Sequence, residues 1–219
     1  MITIRNTVSD VRSWFINLKK NEEYVTDKTG CNMLEVVGAT FIADEKMIFG
    51  AVNHDYVNRE IDWYKSMSRN VNDIPGGAPK AWVGCADPNG MINSNYGWMV
   101  WSDENFNQYE HVKKELRANQ QSRRAEMIYT RPSMWNEYNT NGMSDFVCTD
   151  AVQYFIRDGQ LVANVRMRSN DLVWGYRNDK AWQDYVHTAL AQDLSLPVGP
   201  MIWHAGSLHV YERHFHLID

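Results

Sequence analysis

The sequence is short of cysteine, of basic excess and of long apolar runs, and each shortage excludes something. Three cysteines, Cys31, Cys85 and Cys148, are an odd number and include no C-x-x-C pair. That argues against a disulfide framework and against a structural zinc site. No run of 18 apolar residues occurs, so no membrane-spanning helix and no membrane partner are expected. The first residues, Met1-Ile-Thr-Ile-Arg5, lack the apolar core of a signal peptide, which leaves cytoplasmic residence as the default. Lys and Arg number 22 against 27 Asp and Glu, a formal net charge of −5. The broad basic face of a nucleic-acid binder is therefore missing, and no nucleic-acid partner is expected. Local basic clusters can still hold one small anion. No internal repeat or low-complexity segment is visible.

What is present suits one globular domain over residues 1–219, with 44% hydrophobic and 22% charged residues. Nine Trp and eleven Tyr supply large side chains for cores and stacking sites. Val8, Val11, Trp14, Phe15 and Leu18 recur at helical spacing, predicting a helix over 8–20 with Thr7 or Ser9 as its cap. A polar turn, Asp27-Lys28-Thr29-Gly30, precedes a strand-like run over 34–43. A second helix is predicted over 54–67, with Tyr56, Ile61 and Tyr64 on one stripe. Residues 69–95 read as loops, and a third helix spans 103–117.

After Gln120-Gln121-Ser122-Arg123-Arg124 comes a strand over 125–129. Residues 146–157 and 160–168 alternate as paired strands, joined by Asp158-Gly159, a strong two-residue hairpin signal. A helix over 178–193, a turn over 196–200 and a last strand over 201–211 complete the pattern. The expected class is α+β.

Within 145–179 a cysteine, a hairpin, the cluster Arg168-Ser169-Asn170-Asp171 and the acidic residue Asp179 lie close in sequence. Each candidate has a plainer reading. Cys148 could be a buried small hydrophobe. Lys28 could be an exposed turn lysine, and Glu60 a solvated helical glutamate. Arg123 and Arg124 could be surface charges, although guanidinium forks also suit a phosphate. His209 and Tyr211 could simply be alternate residues on a strand. His209, His214 and His216 form a candidate metal site, with His214 and His216 alternating on a predicted strand. No acidic ligand set accompanies them, and no metal is expected.

Order and spacing say more than any single motif. Asp27-Lys28-Thr29-Gly30, Glu60, Trp82, Tyr96-Gly97, Ser122-Arg123-Arg124, Cys148, Asp158-Gly159, Arg168-Ser169-x-Asp171, Gly175 and His209-x-Tyr211 together resemble the thymidylate synthase superfamily over nearly the full length. Within it, the stretches 94–98, 127–134, 168–171, 178–179 and 206–211 are most similar to the deoxycytidylate 5-hydroxymethylases of T-even-type phages. Two departures from thymidylate synthase point the same way. Val147-Cys148-Thr149 stands where that family usually has Pro-Cys-His, and Asp179 stands where it has asparagine. An asparagine amide, with a donor and an acceptor, suits uracil. A carboxylate can instead accept from the exocyclic amine of cytosine.

The resemblance implies a large mixed or antiparallel sheet flanked by helices, with two sheets stacked back to back in a homodimer. It implies dCMP as substrate and 5,10-methylenetetrahydrofolate as co-substrate. Cys148 would be the nucleophile, Glu60 would organise water and move protons together with Asp179 as a further catalytic residue, and Asp179 would also read the base. Lys28, Arg168 and Ser169 would hold the 5′-phosphate, joined by Arg123 and Arg124 from a second subunit. His209 and Tyr211 would bind the sugar, and Trp82, Asp171 and Gly175 the folate. The product, 5-hydroxymethyl-dCMP, would serve modified phage DNA, made in the cytoplasm of an infected host. The C-terminal lid segment of relatives is expected to be absent. Thymidylate synthase, a dUMP or CMP hydroxymethylase, and a nucleotide-binding protein without turnover remain the alternatives.

Overall fold

The computed structural model describes residues 2–218. Its contacts divide the chain into two compact units, Met1–Val52 with Tyr154–Asp219, and Asn53–Gln153. The strands are β1 (Val25–Thr26), β2 (Asn32–Ile42), β3 (Glu126–Ile128), β4 (Thr149–Arg157), β5 (Gln160–Asp171) and β6 (Val198–Tyr211). The helices are α1 (Val8–Lys20), α2 (His54–Ser66), α3 (Lys80–Cys85), α4 (Tyr96–Trp101), α5 (Gln108–Ala118), α6 (Met134–Glu137) and α7 (Gly175–Asp193). The strands form one sheet in the order β1-β2-β6-β5-β4-β3. Pairs β1–β2, β2–β6 and β3–β4 are antiparallel, whereas β5 and β6 are parallel. The expected mixed sheet flanked by helices is what the chain forms.

The first unit is built on β2, β6 and β5. Parallel pairing of β5 with β6 needs a long crossover, and α7, with 19 residues, provides it. The helix buries Tyr176, Trp182, Val186 and Leu190. Tyr176 lies between the rings of Phe41, at 5.9 Å, and Trp203, at 5.2 Å. Each such aromatic pair adds about 0.5–1.5 kcal/mol beyond area burial. Helix α1 starts at Thr7, whose backbone N–H and hydroxyl both donate to Asp10 Oδ2. Asp158 and Gly159 take φ of 52° and 74°, the left-handed pair that a type I′ hairpin requires.

In the second unit, Asn95 joins two helices. Its amide donates to the carbonyls of Trp63 and Ser68, and its Oδ1 accepts the Trp98 N–H that opens α4. Gly97 lets α4 press against the end of α2, since a Cβ there would stand 1.8 Å from the Tyr64 carbonyl oxygen.

Several boundaries differ from the sequence reading. The helix expected over 103–117 is a 3-10 turn, Asp103–Asn105, followed by α5. Phe106 and Asn107 break it with φ of 62° and 41°, and Asn107 caps α5 by accepting from the Glu110 N–H. The loop region over 69–95 contains α3, and α4 follows it directly. Strand β4 begins at Thr149 rather than 146, leaving Cys148 at the end of a loop. Strand β5 runs on to Asp171, α7 starts at Gly175, and β6 begins inside the expected turn, because parallel pairing to β5 recruits residues that carry no alternation of their own. The buried stripe of α2 is Tyr56, Val57, Glu60, Trp63 and Tyr64, with Ile61 only half-buried. His214 and His216 lie in a 3-10 turn, Glu212–Leu217, not on a strand.

Candidate active site

The proton-handling candidate lies in the second unit. Asn53 starts α2 by accepting from the Tyr56 N–H. One turn on, Glu60 shares a face with Tyr56. Glu60 is only 4% exposed, so the solvated reading of this residue is overturned: its stripe packs inward. Tyr56 Oη donates to Glu60 Oε1 at 2.5 Å. Trp82 Nε1 donates to the same oxygen at 2.9 Å and lies 3.0 Å from Tyr56 Oη. Burial, then the charge and hydrogen bond of Glu60, push the Tyr56 hydroxyl far above its ordinary pKa, so it remains a donor. Two donors thus fix one oxygen of a buried carboxylate.

The nucleophile candidate, Cys148, is half-buried. The loop before it is anchored at Asp145, whose carboxylate accepts from the Asn93 N–H, the Ser94 N–H and Ser94 Oγ, each at 2.7 Å. Asn93 Nδ2 returns a bond to the Asp145 carbonyl at 3.1 Å, and Asn93 Oδ1 accepts from Arg69 Nη2 at 2.9 Å. Ser144 N–H donates to the Cys85 carbonyl at 2.9 Å. Burial, and then the charge of Asp145, push the Cys85 thiol up to about 12, so Cys85 is protonated at neutral pH and is no rival nucleophile.

Arg123 and Arg124 are exposed. Arg124 pairs with Glu115 of its own chain at 3.0 Å, and Glu115 also accepts from Ser122 Oγ at 2.5 Å. Gln153 Nε2 donates to the Arg123 carbonyl at 2.8 Å, fixing the backbone of this corner.

The nucleotide-binding candidates Lys28, Arg168, Ser169, Asp179, His209 and Tyr211 lie in the first unit. Lys28 is exposed on a turn closed by Asp27 Oδ1, which accepts from the Thr29 N–H, Thr29 Oγ1 and the Cys31 N–H. The β5–β6 register sets Ser169 beside Ser207 and Asp171 beside His209. His209 is buried, with Nδ1 3.2 Å from Ser207 Oγ, and that hydroxyl donates to Glu35 Oε1. The rings of His209 and Tyr211 lie 5.2 Å apart. Burial, then the charges of Asp27 and Asp171, raise the Tyr211 hydroxyl. Arg213 covers the Tyr211 ring at 4.4 Å and the Trp174 ring at 5.3 Å. Arg168 is exposed and Ser169 half-buried.

Asp171 closes the loop ahead of α7. Its Oδ1 accepts from the N–H groups of Val173, Trp174 and Gly175 at 2.9, 2.6 and 3.3 Å, placing a negative charge at the helix start. Its Oδ2 is buried without a hydrogen-bond partner among the described residues. An orphan acceptor of this kind fits a ligand rich in N–H groups, as a pterin is. Five residues into α7, Asp179 Oδ2 accepts from Asn170 Nδ2 at 2.7 Å.

Sequence reasoning missed Tyr56, Asp145 and Asn170. Tyr56 was legible in principle, four residues before Glu60. Asn170 occupies the unassigned position of Arg168-Ser169-x-Asp171. Asp145 gave no signal, because its partners lie 51 and 52 residues away. Among the described residues no group of three His, Cys, Asp or Glu is placed to hold a metal, and no helix is long and apolar enough to cross a membrane.

Comparison with known proteins gives these groups a context. The family model for thymidylate synthase matches residues 15–219. Deoxycytidylate 5-hydroxymethyltransferases of Enterobacteria phage T4 and Enterobacteria phage T2 are each 51% identical to this chain, covering 100% of it and 92% of their own length. A thymidylate synthase of Vesicomyosocius okutanii is 26% identical, over 94% of this chain and 80% of its own. The solved structure of thermostable thymidylate synthase A from Bacillus subtilis has a TM-score of 0.71 at 21% identity, covering 97% of this chain and 82% of that one, a likeness of fold. Family model, full-length relatives and fold agree: the chain belongs to the thymidylate synthase family.

Proposed function

We propose that the chain transfers a one-carbon unit to C5 of dCMP and hydrates it, giving 5-hydroxymethyl-dCMP. The observation that carries the choice of base is Asp179, an acceptor bonded to the amide of Asn170, at the position where the resemblance to thymidylate synthases implies an asparagine. The two phage relatives named deoxycytidylate 5-hydroxymethyltransferase support the choice of reaction.

In this reading Cys148, as thiolate, adds to C6 of the pyrimidine, and C5 becomes nucleophilic. The co-substrate 5,10-methylenetetrahydrofolate supplies the one-carbon unit. Glu60, held at one oxygen by Tyr56 and Trp82, organises water and moves protons as C5 loses its hydrogen and tetrahydrofolate departs, leaving an exocyclic methylene on the ring. Water then adds to the new exocyclic carbon and Cys148 leaves. Asp179 accepts from the amine at position 4 of the ring and favours a protonated, more electrophilic base. Lys28, Arg168 and Ser169 hold the phosphate with Arg123 and Arg124 of a second subunit, and several cations on one dianion let an acidic protein bind an acidic substrate. His209 and Tyr211 hold the 3′-hydroxyl, and Asp171, Trp82 and Gly175 the folate. The chain acts as a single catalytic domain within a homodimer, in the cytoplasm of an infected cell, supplying a modified nucleotide for phage DNA.

Mass spectrometry of dCMP, dUMP and CMP, each incubated with the protein and methylenetetrahydrofolate, tests this. A CH2OH adduct on dCMP is expected. A methyl product on dUMP alone, or no product, would sink the reading.

A further inference from the structure

The bond between Asn170 and Asp179 has a property that neither residue has alone. Asn170 is 2% exposed, on β5, and Asp179 is half-buried on α7. The carboxylate oxygen 2.7 Å away demands a donor, so the amide is oriented with Nδ2 towards Asp179. The opposite orientation would set two acceptors against each other. Asn170 Oδ1 is then left buried and without a partner among the described residues. Native interiors leave few such atoms, and each calls for an explanation. Gly175 is a second observation. A Cβ there would stand 3.3 Å from Asn170 Nδ2 and 3.7 Å from Asp179 Oδ2, so the glycine leaves room for the pair. Three separated positions thus converge on one hydrogen bond.

We infer that Asn170 is a specificity-determining positioning residue: by donating to Asp179 it fixes the orientation of that carboxylate and keeps it an acceptor, which commits the site to a base edge that donates, as the amine of cytosine does. Hydrogen bonding to the charged form of a carboxylate favours that form. Without the Asn170 donor that constraint on the carboxylate is lost, and a carboxyl group that turns a donor to the base offers a donor and an acceptor, as asparagine does. The wrong base, uracil, is then no longer refused. The orphan Oδ1 adds a second acceptor to the pair. This inference rests on the reading of Asp179 as the residue facing the base.

The test is a double-mutant cycle read as the ratio of kcat/KM for dCMP to that for dUMP. Asn170→Ala should lower the ratio about ten- to a hundredfold, the loss expected for one charge-assisted hydrogen bond. Asn170→Leu, which keeps size and shape but has no donor, should lower it too, and serves if the alanine variant does not fold. In an Asp179→Asn background, Asn170→Ala should leave the ratio within about twofold, because its effect runs through the carboxylate. A residue that merely supports the fold would depress both substrates alike and leave the ratio untouched in either background. If both Asn170 variants leave the ratio unchanged while Asp179→Asn moves it, the inference is overturned and Asp179 keeps its assignment. If Asp179→Asn itself leaves the ratio unchanged, the reading of Asp179 fails first and takes the inference with it.

Discussion

The two units place their functional candidates by different means. In the first, strand register does most of the work: Ser169 to Asp171 on β5 lie beside Ser207 to His209 on β6 because parallel pairing fixes their alignment. In the second, Glu60 and Cys148 sit in short helices and loops, and buried side-chain hydrogen bonds hold them. Tyr56 and Trp82 grip Glu60, and Asp145 anchors the loop that leads to Cys148. A register tolerates the loss of one side chain, because backbone bonds set it. A side-chain network does not, since removing one member leaves another buried and unpaired. Substitutions of equal chemical size should therefore cost more turnover in the second unit, and more selectivity in the first.

The largest effect expected is at the proposed nucleophile. Cys148→Ser should lose turnover by several orders of magnitude while dCMP still binds, measured by product mass and by calorimetric titration. Retained turnover would remove the chemistry from the second unit and end the contrast. Next comes the proton group. Glu60→Gln should lower kcat about 10²–10⁴-fold. Tyr56→Phe, which takes one donor from the same oxygen, should lower it roughly tenfold or more with little change in KM. An unchanged kcat in the tyrosine variant would show that the network is structural only.

Stability offers a third comparison. Gly97→Ala puts a methyl against the Tyr64 carbonyl and should cost about 1–3 kcal/mol or more, read from the denaturant midpoint. The smallest effect is a pH slope assigned to the first unit. Burial holds His187, His204 and His214 below the ordinary histidine range. A histidine neutral in the folded state and free to protonate when unfolded contributes stability above its unfolded pKa, of about 6.5, and that contribution is lost as pH falls. The thermal midpoint should drop between pH 7 and pH 5, and His187→Gln should flatten that slope. An unaltered slope would mean that His187 carries none of it.

The legibility of the sequence follows the same division. Alternation and the Asp158-Gly159 hairpin revealed β4, β5 and the end of β6, because a side-chain period of two is local information. The start of β6 was hidden, because its pairing to β5 depends on a partner 37 residues earlier. Helix α4 was hidden by glycine- and proline-rich surroundings, and its capping residue Asn95 shows its purpose only once Trp63 and Ser68 are in place. Glu60 looked like any helical glutamate. Its hydrogen-bond partner Trp82 lies 22 residues away.

By itself the sequence determined the family, the mixed sheet and the residue types of the chemistry, since order and spacing of many weak motifs are properties of the chain. Tertiary structure alone decided which side chains hold the candidate reactive ones: Trp82 on Glu60, Asp145 at the approach to Cys148, Asn170 on Asp179. Hydrogen bonds of 2.7–2.9 Å depend on positions in space, and across 9 to 52 residues of chain no periodicity encodes them.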